Sequence, residues 1–414
     1  MGAFMDGLTA PIIGPEAIDF DLRALADSFY ADPYPIYRAV QQSAPVHHLP
    51  AGGVFVSRYE DVLTVYQDAV RFSSDKRMEF APKFANSPRL LRHHTTSLVF
   101  NDAPYHARVR RQILGALVPR ALVPLGPRLT TLVDRLLDAA EARGAIDAIE
   151  DFAAAIPVEV IGDLLGVPRD DRAPLRGWSL AILGALEPAV DAEALQRGER
   201  ALADFLGYLE HLVADRRRQP GDPERDVLTR LILGEGGEPL SEPGLLENCI
   251  FLLNAGHETT SNLIGNGLEL FARFPGERGK LLADPSLLQG AVEEILRFES
   301  SNQLGNRVTT KAVEIAGVSL PAGTFVTLGI GAANRDPRVF SDPDRFDIQR
   351  QPNSHLAFGG GVHGCAGQNL ARMEGRVALG RFLARFPRYQ LDGPPMRARR
   401  ARFRGFTHLP LKLT

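Results

Sequence analysis

One stretch of the sequence decides the fold: Phe358-Gly359-Gly360-Gly361-Val362-His363-Gly364-Cys365-Ala366-Gly367. It holds five glycines, one histidine and one of only two cysteines in the chain. Glycine adopts positive φ angles and lets the backbone approach a flat group closely. Residues 368–379, which follow directly, predict an amphipathic helix. A glycine-rich loop therefore delivers Cys365 to the N-terminus of a helix.

Two interpretations of Cys365 follow from this placement. Backbone N–H groups and the positive end of a helix stabilise an anion, so we expect this thiol to ionise more readily than a free one. A thiolate on a glycine platform suits a metal ligand that is a single cysteine. A lone cysteine is more often a small buried residue in a tight turn, and the residue type alone favours that simpler interpretation.

The spacing around the cysteine favours the metal ligand. Phe-x-x-Gly-x-His-x-Cys-x-Gly resembles the haem-ligand loop of the cytochrome P450 superfamily at every specified position. The resemblance implies that the Cys365 thiolate is the axial ligand of a haem b iron, where its electron donation favours O–O cleavage. The haem contacts that it implies in this loop are Phe358, Gly359, His363, Cys365 and Gly367.

Composition places the chain among ordinary globular proteins. Hydrophobic residues make up 44% and charged residues 23%, and the net charge of −3 gives no case for nucleic acid binding. The two cysteines, Cys249 and Cys365, offer no disulfide framework, so a reducing compartment is expected. There is no signal-peptide pattern and no run of roughly 18 apolar residues, which a membrane span needs. We expect a soluble cytoplasmic protein, and the abundance of Ala, Arg, Gly and Pro suggests a bacterial source.

A second motif lies in a long helix predicted from Leu245 to about Phe274. Polar residues interrupt its apolar centre at 254–262, and polar groups in a buried helix need partners or a purpose. The Thr259 hydroxyl is expected to turn back to the carbonyl of Ala255 and open a kink. A kinked helix with satisfied polar groups would explain the same pattern.

Ala-Gly-x-Glu-Thr-Thr at 255–260 again resembles the P450 superfamily, in its oxygen-binding motif. The resemblance implies that Thr259 hydrogen-bonds dioxygen and that Glu258 supplies protons through water. Ala255 and Gly256 would then border the haem. General acid delivery is chemically reasonable because O–O cleavage consumes protons.

Candidate ligands for the haem propionates come from two further segments. Residues 101–111 predict a basic helix capped by Asp102, with His106 and Arg110 on one face. A solvated basic face is the plain interpretation of that pair. The resemblance to a His-x-x-x-Arg pattern implies instead that both bind a propionate through charge-assisted hydrogen bonds. It implies the same role for Arg307, beside His363.

The sequence also predicts a structural ion cluster and a loop that surround the site. Glu294 and Arg297 share a helical face and alone would be an ordinary surface pair. The Glu-x-x-Arg resemblance implies that they form a buried cluster with Arg345, which serves folding and haem retention. The segment 81–98 is expected to be an irregular loop over the substrate, with His93 and His94 solvated.

Two polar segments remain open at this point. The run 397–404, with five arginines, is expected to be an exposed strand and loop rather than a nucleic-acid patch. The amides and hydroxyls of 301–306 either contact a polar part of the substrate or satisfy the backbone; both alternatives stand.

The resemblance covers about Asp32 to the C-terminus and implies a mainly α protein with a smaller β portion, the cytochrome P450 fold. We expect one domain over 1–414, with 1–30 as a partly irregular N-terminal arm. The expected reaction inserts one atom of O₂ into a small organic substrate by hydroxylation, epoxidation or dealkylation. Alternatives are a peroxide-driven or non-oxygenase haem-thiolate enzyme and, in another class, a haem-based sensor.

No flavin or NAD fingerprint appears in the chain, so electrons are expected from a separate ferredoxin and ferredoxin reductase. Acidic ferredoxins seek basic patches. The arginines proposed for their docking face are Arg108, Arg111, Arg372 and Arg376.

Overall fold

Helices dominate the computed structural model, which describes residues 19–224 and 226–414. The first 18 residues of the predicted N-terminal arm lie outside the described residues. The α-helices are α1 Asp27–Ala31, α2 Tyr34–Ser43, α3 Tyr59–Gln67, α4 Arg77–Lys83, α5 Pro88–Thr96, α6 Tyr105–Leu117, α7 Pro119–Leu122, α8 Leu125–Arg143, α9 Ala155–Leu165, α10 Leu175–Gly184, α11 Ala192–Arg218, α12 Val227–Leu233, α13 Glu242–Arg273, α14 Pro275–Ala283, α15 Leu288–Phe298, α16 Ile330–Ala333 and α17 Gln368–Arg385.

The strands are short, and five of them form one mixed sheet. They are β1 Val46–His48, β2 Val54–Val56, β3 Phe72–Ser73, β4 Ala145–Asp147, β5 Leu304–Thr309, β6 Val313–Ile315, β7 Val318–Leu320, β8 Phe325–Gly329, β9 Gln390–Leu391, β10 Met396–Arg397, β11 Phe406–His408 and β12 Pro410–Lys412. The main sheet has the order β1-β2-β8-β5-β3, in which β2 and β8 run parallel and the other neighbours run antiparallel. Strands β1 and β2 form a hairpin, with Val46 opposite Val56.

Helix α13 is the axis of the helical part. Ser241 caps it by accepting a hydrogen bond from the N–H of Gly244, and Pro243 stands in its first turn, where no N–H partner is lost. Its 32 residues span about 48 Å. Most of its side chains are buried, which requires neighbours on every side. Helices α9, α10 and α17 supply them.

A buried ion cluster fixes α15 to the segment before the glycine-rich loop. Arg297, fully buried, donates from Nε and Nη2 to the Glu294 carboxylate, both at 2.8 Å. The second arginine on that carboxylate is Arg350, whose Nε lies 3.2 Å from Oε1. The prediction of Arg345 in this position was wrong. Its side chain is mainly exposed, and it contributes only its carbonyl, which accepts hydrogen bonds from both other arginines.

The prediction of an irregular loop over 81–98 was also wrong, because α4 and α5 occupy most of it. Leu90, His93 and His94 are all buried, and their spacing of three and four places them on one helical face. His93 meets the buried carboxylate of Glu247, 2.8 Å from its Nδ1. Among the described residues, no group of three His, Cys, Asp or Glu side chains is arranged to hold a metal ion.

The arginine run 397–404 is largely internal, which corrects the expectation of an exposed strand and loop. Arg404 pairs with the buried Glu299, and Arg397 donates to Asn266 Oδ1 at 3.1 Å. Arg400 reaches Glu258 in α13. Only Arg399 keeps a mainly exposed side chain among the run's ion pairs. These arginines connect the C-terminal segment to the centre of the fold.

Nothing in the described ranges, 19–224 and 226–414, is a helix both long and apolar enough to cross a bilayer. The largest cluster of buried side chains draws its members from Phe80 to Leu413. Because one core joins such distant segments, we propose that the chain forms the single domain expected from the sequence.

Candidate active site

A cavity of about 350 Å³ lies between α13 and the glycine-rich loop. Its walls are mainly apolar, with contributions from α5, α6, α9, α10 and β5. Every site residue predicted from the sequence lines this cavity except Glu258: His106, Arg110, Ala255, Gly256, Thr259, Arg307, Phe358, Gly359, His363, Cys365 and Gly367. The structure therefore brings together four separate segments of the chain.

The glycine-rich loop has the conformation that its glycines permit. Gly359 and Gly361 have φ angles of 66° and 62°, a region that side chains rarely adopt. A Cβ on Gly361 would also lie 2.1 Å from the carbonyl oxygen of Tyr66. The Cys365 N–H donates to the Phe358 carbonyl at 2.9 Å, which closes the loop. These constraints fix the cysteine against the cavity.

The ionisation of Cys365 differs from the sequence expectation. Burial raises the pKa of its thiol, and this effect exceeds the opposing hydrogen bond from the Gly367 N–H and the charges of Arg110 and Arg372. The expected N-terminal stabilisation is present but smaller than the cost of burying a thiolate. A coordinated metal cation would supply the missing charge, since a metal-bound thiol is deprotonated outright.

Basic groups gather at one edge of the cavity. The Nε2 atom of His106 is buried and has no hydrogen-bond partner in the part of the chain that the structure describes. The ring centroid of His106 lies 3.9 Å from that of His363. The Arg307 guanidinium is buried and donates from Nη1 to the Asn306 carbonyl at 2.7 Å. Arg110 donates from Nη2 to Gly364 O at 2.6 Å. Burial and the neighbouring arginines lower the pKa of His363 to about 2, so it is a neutral hydrogen-bonding group.

The prediction that the Asp102 side chain caps α6 was wrong. Its carboxylate instead accepts from the N–H of Ser74 at 2.9 Å and from the Ser73 hydroxyl, at the end of β3. The cap was mistaken because an aspartate before a proline is a common helix start, whatever its side chain finally binds.

The acid and the alcohol of α13 face different surroundings. Thr259 lines the cavity, and its hydroxyl donates to Ala255 O at 2.8 Å, as predicted. Glu258 is buried beside the cavity, and Arg400 Nη1 lies 2.5 Å from both of its carboxylate oxygens. Burial raises the pKa of Glu258 to about 7, against the lowering effect of Arg400. This carboxyl therefore gains and loses a proton near neutral pH.

Several residues line the cavity without a role predicted from the sequence. His94, Asn254 and Lys76 are buried, with side-chain atoms that have no hydrogen-bond partner among the described residues. The same holds for Oε1 of Glu374 on α17, and burial raises the pKa of this carboxyl to about 8. No local pattern predicts that Lys76 and Glu374 line the cavity, because distant segments build its walls.

The segment 301–306 satisfies neither of its two interpretations completely. Ser301 Oγ, Asn302 Oδ1 and Asn306 Oδ1 have no hydrogen-bond partner within residues 19–224 and 226–414, and these three residues line the cavity. Gln303 donates from Nε2 to the Ser300 carbonyl at 2.8 Å. The segment thus supports the backbone with one amide and leaves other polar atoms toward the cavity.

Comparisons with known proteins agree with this architecture. The family model described as Cytochrome P450 matches residues 186–403. Cytochrome P450 107B1 of Saccharopolyspora erythraea is 38% identical over 394 residues, 91% of this chain and 93% of that protein. The vitamin D(3) 25-hydroxylase of Pseudonocardia autotrophica is 39% identical over 369 residues, 88% of this chain and 89% of that protein.

The solved structure of CalO2 superposes with a TM-score of 0.89 at 33% identity, covering 95% of this chain and 98% of that one. The expected fold, mainly α with a smaller β portion, is confirmed. The chain belongs to the cytochrome P450 family.

Proposed function

We propose that Cys365 holds the haem iron of this enzyme, with Thr259 and Glu258 managing protons on the opposite side of the cavity. Family membership makes the chain a haem monooxygenase, an oxidoreductase that inserts one atom of O₂ into an organic substrate. The observation that carries the assignment is the placement of Cys365 and Thr259 on the walls of one mainly apolar cavity.

The residues present fit a haem b. A flat apolar ring with two carboxylates requires an apolar cavity, a close backbone approach and basic groups at one edge. The glycines beside Cys365 allow that approach. Propionates would supply hydrogen-bond acceptors for the buried Nε2 of His106 and the buried guanidinium of Arg307. His106, Arg110, Arg307 and His363 would hold the two propionates. When bound, the haem supplies the O₂ chemistry itself.

The chain's own groups position and move protons. The Thr259 hydroxyl donates to Ala255 O. Its oxygen remains free to accept a hydrogen bond from a donor in the cavity. Glu258 has a pKa of about 7, which suits a group that must both hold and release a proton at neutral pH. Because Arg400 holds its carboxylate outside the cavity lining, Glu258 must leave that ion pair to pass on a proton.

Thr259→Ala is expected to uncouple electron consumption from product formation. Loss of the hydroxyl removes the nearest proton-handling group in the cavity, so product formed per electron consumed should fall about tenfold or more. The measurement is product and hydrogen peroxide per electron donor oxidised. Ser261→Ala is the matched control, because the Ser261 hydroxyl donates to the His257 carbonyl at 2.9 Å in the same helix but does not line the cavity. Its coupling should stay close to wild type. Full coupling in Thr259→Ala would remove this residue from the mechanism.

Arg400→Gln is expected to extend coupled turnover to higher pH. Arg400 lowers the pKa of Glu258, so its removal raises that pKa further and keeps the carboxyl protonated at more alkaline pH. The measurement is coupling as a function of pH. Arg399→Gln removes an exposed neighbour that pairs with Asp27, and it serves as the control. An unchanged pH profile in Arg400→Gln would show that this ion pair does not tune proton supply.

Bacterial members of this family generally take electrons from ferredoxin-type partners. For this chain we propose a separate ferredoxin and reductase. The charge of Arg372 is already paired within the chain, because Nε and Nη2 donate to the Glu293 carboxylate at 2.7 and 2.9 Å. The docking charge therefore falls mainly on Arg108, Arg111 and Arg376. Turnover with peroxide but none with electron donors and O₂ would favour the peroxide-driven alternative.

A further inference from the structure

Lys76 is the most unusual group on the cavity wall. Its side chain is 2% exposed, and Nζ has no hydrogen-bond partner among the described residues. Nζ lies 3.4 Å from Glu79 Oε2, which in the same part of the chain makes no hydrogen bond either. An ammonium group carries three donors, and leaving them unmade in a buried site is costly. Burial lowers the pKa of Lys76 to about 8, so the charged form still predominates at pH 7.

A second cation lines the same cavity near Lys76. Arg402 donates from Nη1 to the Leu304 carbonyl at 3.0 Å, and its positive charge acts on Lys76. Within the described ranges of the chain, no carboxylate forms an ion pair with Arg402. Arg402 contacts the Glu187 carboxylate only through its backbone N–H, which donates to Oε2 at 3.1 Å. Two cations thus line the cavity, and among the described residues only Glu79 forms an ion pair with either of them, which leaves one positive charge unpaired.

The cofactor does not account for that charge. Its two propionates already have four candidate donors at the other positions, namely His106, Arg110, Arg307 and His363. Two arginines balance two carboxylates in charge, and the two histidines add hydrogen bonds. Lys76 and Arg402 are therefore not needed to bind the propionates. Lys76 is buried and Arg402 is partly buried, and the single carboxylate of Glu79 does not balance both charges, so these groups indicate a ligand that brings a second anion.

We propose that Lys76 and Arg402 bind the carboxylate of the substrate, so that this enzyme oxidises an apolar organic acid. This inference rests on the proposed function of the same cavity. The apolar walls receive the hydrocarbon part, while the two cations fix the acid end through charge-assisted hydrogen bonds. Fixing one end sets which carbon lies near the reactive centre, so the same pair also determines regioselectivity.

The test compares organic acids with their neutral amides on the holoenzyme. Dodecanoate, adamantanecarboxylate and naphthoate sample a linear, a compact and a flat skeleton, and each is paired with its amide. Binding is followed by the haem absorption shift and by calorimetry. At least one acid should bind about tenfold or more tightly than its amide, since hydrogen bonds to charged groups are the stronger ones.

Three variants locate that preference. Lys76→Met keeps the length of the side chain and should lower the acid affinity about tenfold or more while leaving amide binding unchanged. Glu79→Gln removes the competing carboxylate and should tighten acid binding, a change that a merely structural Lys76 would not produce. Lys83→Met is the matched control, because Lys83 donates to the Glu187 carbonyl at 2.7 Å and does not line the cavity.

The outcomes separate this inference from the function beneath it. Equal binding of acids and amides, or an acid preference that survives Lys76→Met, overturns the inference. So does loss of haem from Lys76→Met, which would make Lys76 a cofactor ligand. In each of these cases a normal thiolate spectrum of the wild-type CO complex leaves the proposed function intact. An abnormal wild-type spectrum defeats the proposed function itself.

Discussion

Cys365→Ser is expected to reduce monooxygenase turnover to background and to remove the thiolate absorption of the reduced CO complex. Serine is nearly the size of cysteine and keeps the N–H that donates to Phe358 O, so the loop should close as before. Its hydroxyl does not provide the soft, electron-donating sulfur ligand. The measurements are the CO difference spectrum and product formation, with circular dichroism to verify folding.

Cys249→Ala is the control for the cysteine variant. Cys249 is fully buried in α13, and burial raises the pKa of its thiol to about 12, so it is an uncharged packing residue. Its replacement should lower stability slightly through a small cavity and leave the spectrum unchanged. A thiolate spectrum that persists in Cys365→Ser, or disappears in Cys249→Ala, would contradict the assignment of the ligand.

Arg297→Met is expected to lower the free energy of unfolding by about 3 to 5 kcal/mol, because it leaves a buried carboxylate without its main partner. Glu294 would retain Arg350 Nε at 3.2 Å and Asn353 Nδ2 at 3.1 Å. The carbonyls of Asn334 and Pro343 would lose their donor as well. The measurement is urea unfolding of the haem-loaded protein.

Arg345→Met separates the structural assignment from the sequence-based one. The Arg345 side chain is 62% exposed, so its replacement should change stability by no more than about 0.5 kcal/mol. Arg350→Met should be distinctly destabilising, because its side chain is only 9% exposed and contacts Glu294. The cluster would be misassigned if Arg345→Met proved as damaging as Arg297→Met.

The sequence predicted those parts of the site whose chemistry is local. The loop around Cys365 and the Thr259 turn in α13 depend on residues within about ten positions, and their spacing is visible in the chain. A short segment carries its own hydrogen-bonding pattern wherever it lies in the fold.

Contacts between distant segments were beyond that approach. Arg350 replaces Arg345 because the irregular chain between them turns, and no periodicity describes its path. Arg400 and Glu258 lie 142 positions apart and meet only in the folded protein. The burial of His93 and His94 could have been predicted locally, since their spacing from Leu90 places all three residues on one helical face. Solvated side chains were expected instead because histidine is polar.

The internal course of the arginine run has a consequence for the order of synthesis. Glu258 leaves the ribosome long before Arg400, so a nascent chain that already contains all of α13 still lacks the partner of that buried acid. Glu299 waits in the same way for Arg404. Contacts over such separations are made late and close large loops. The proton-handling side of the cavity therefore matures after translation of the segment 397–404, whereas α13 can form earlier.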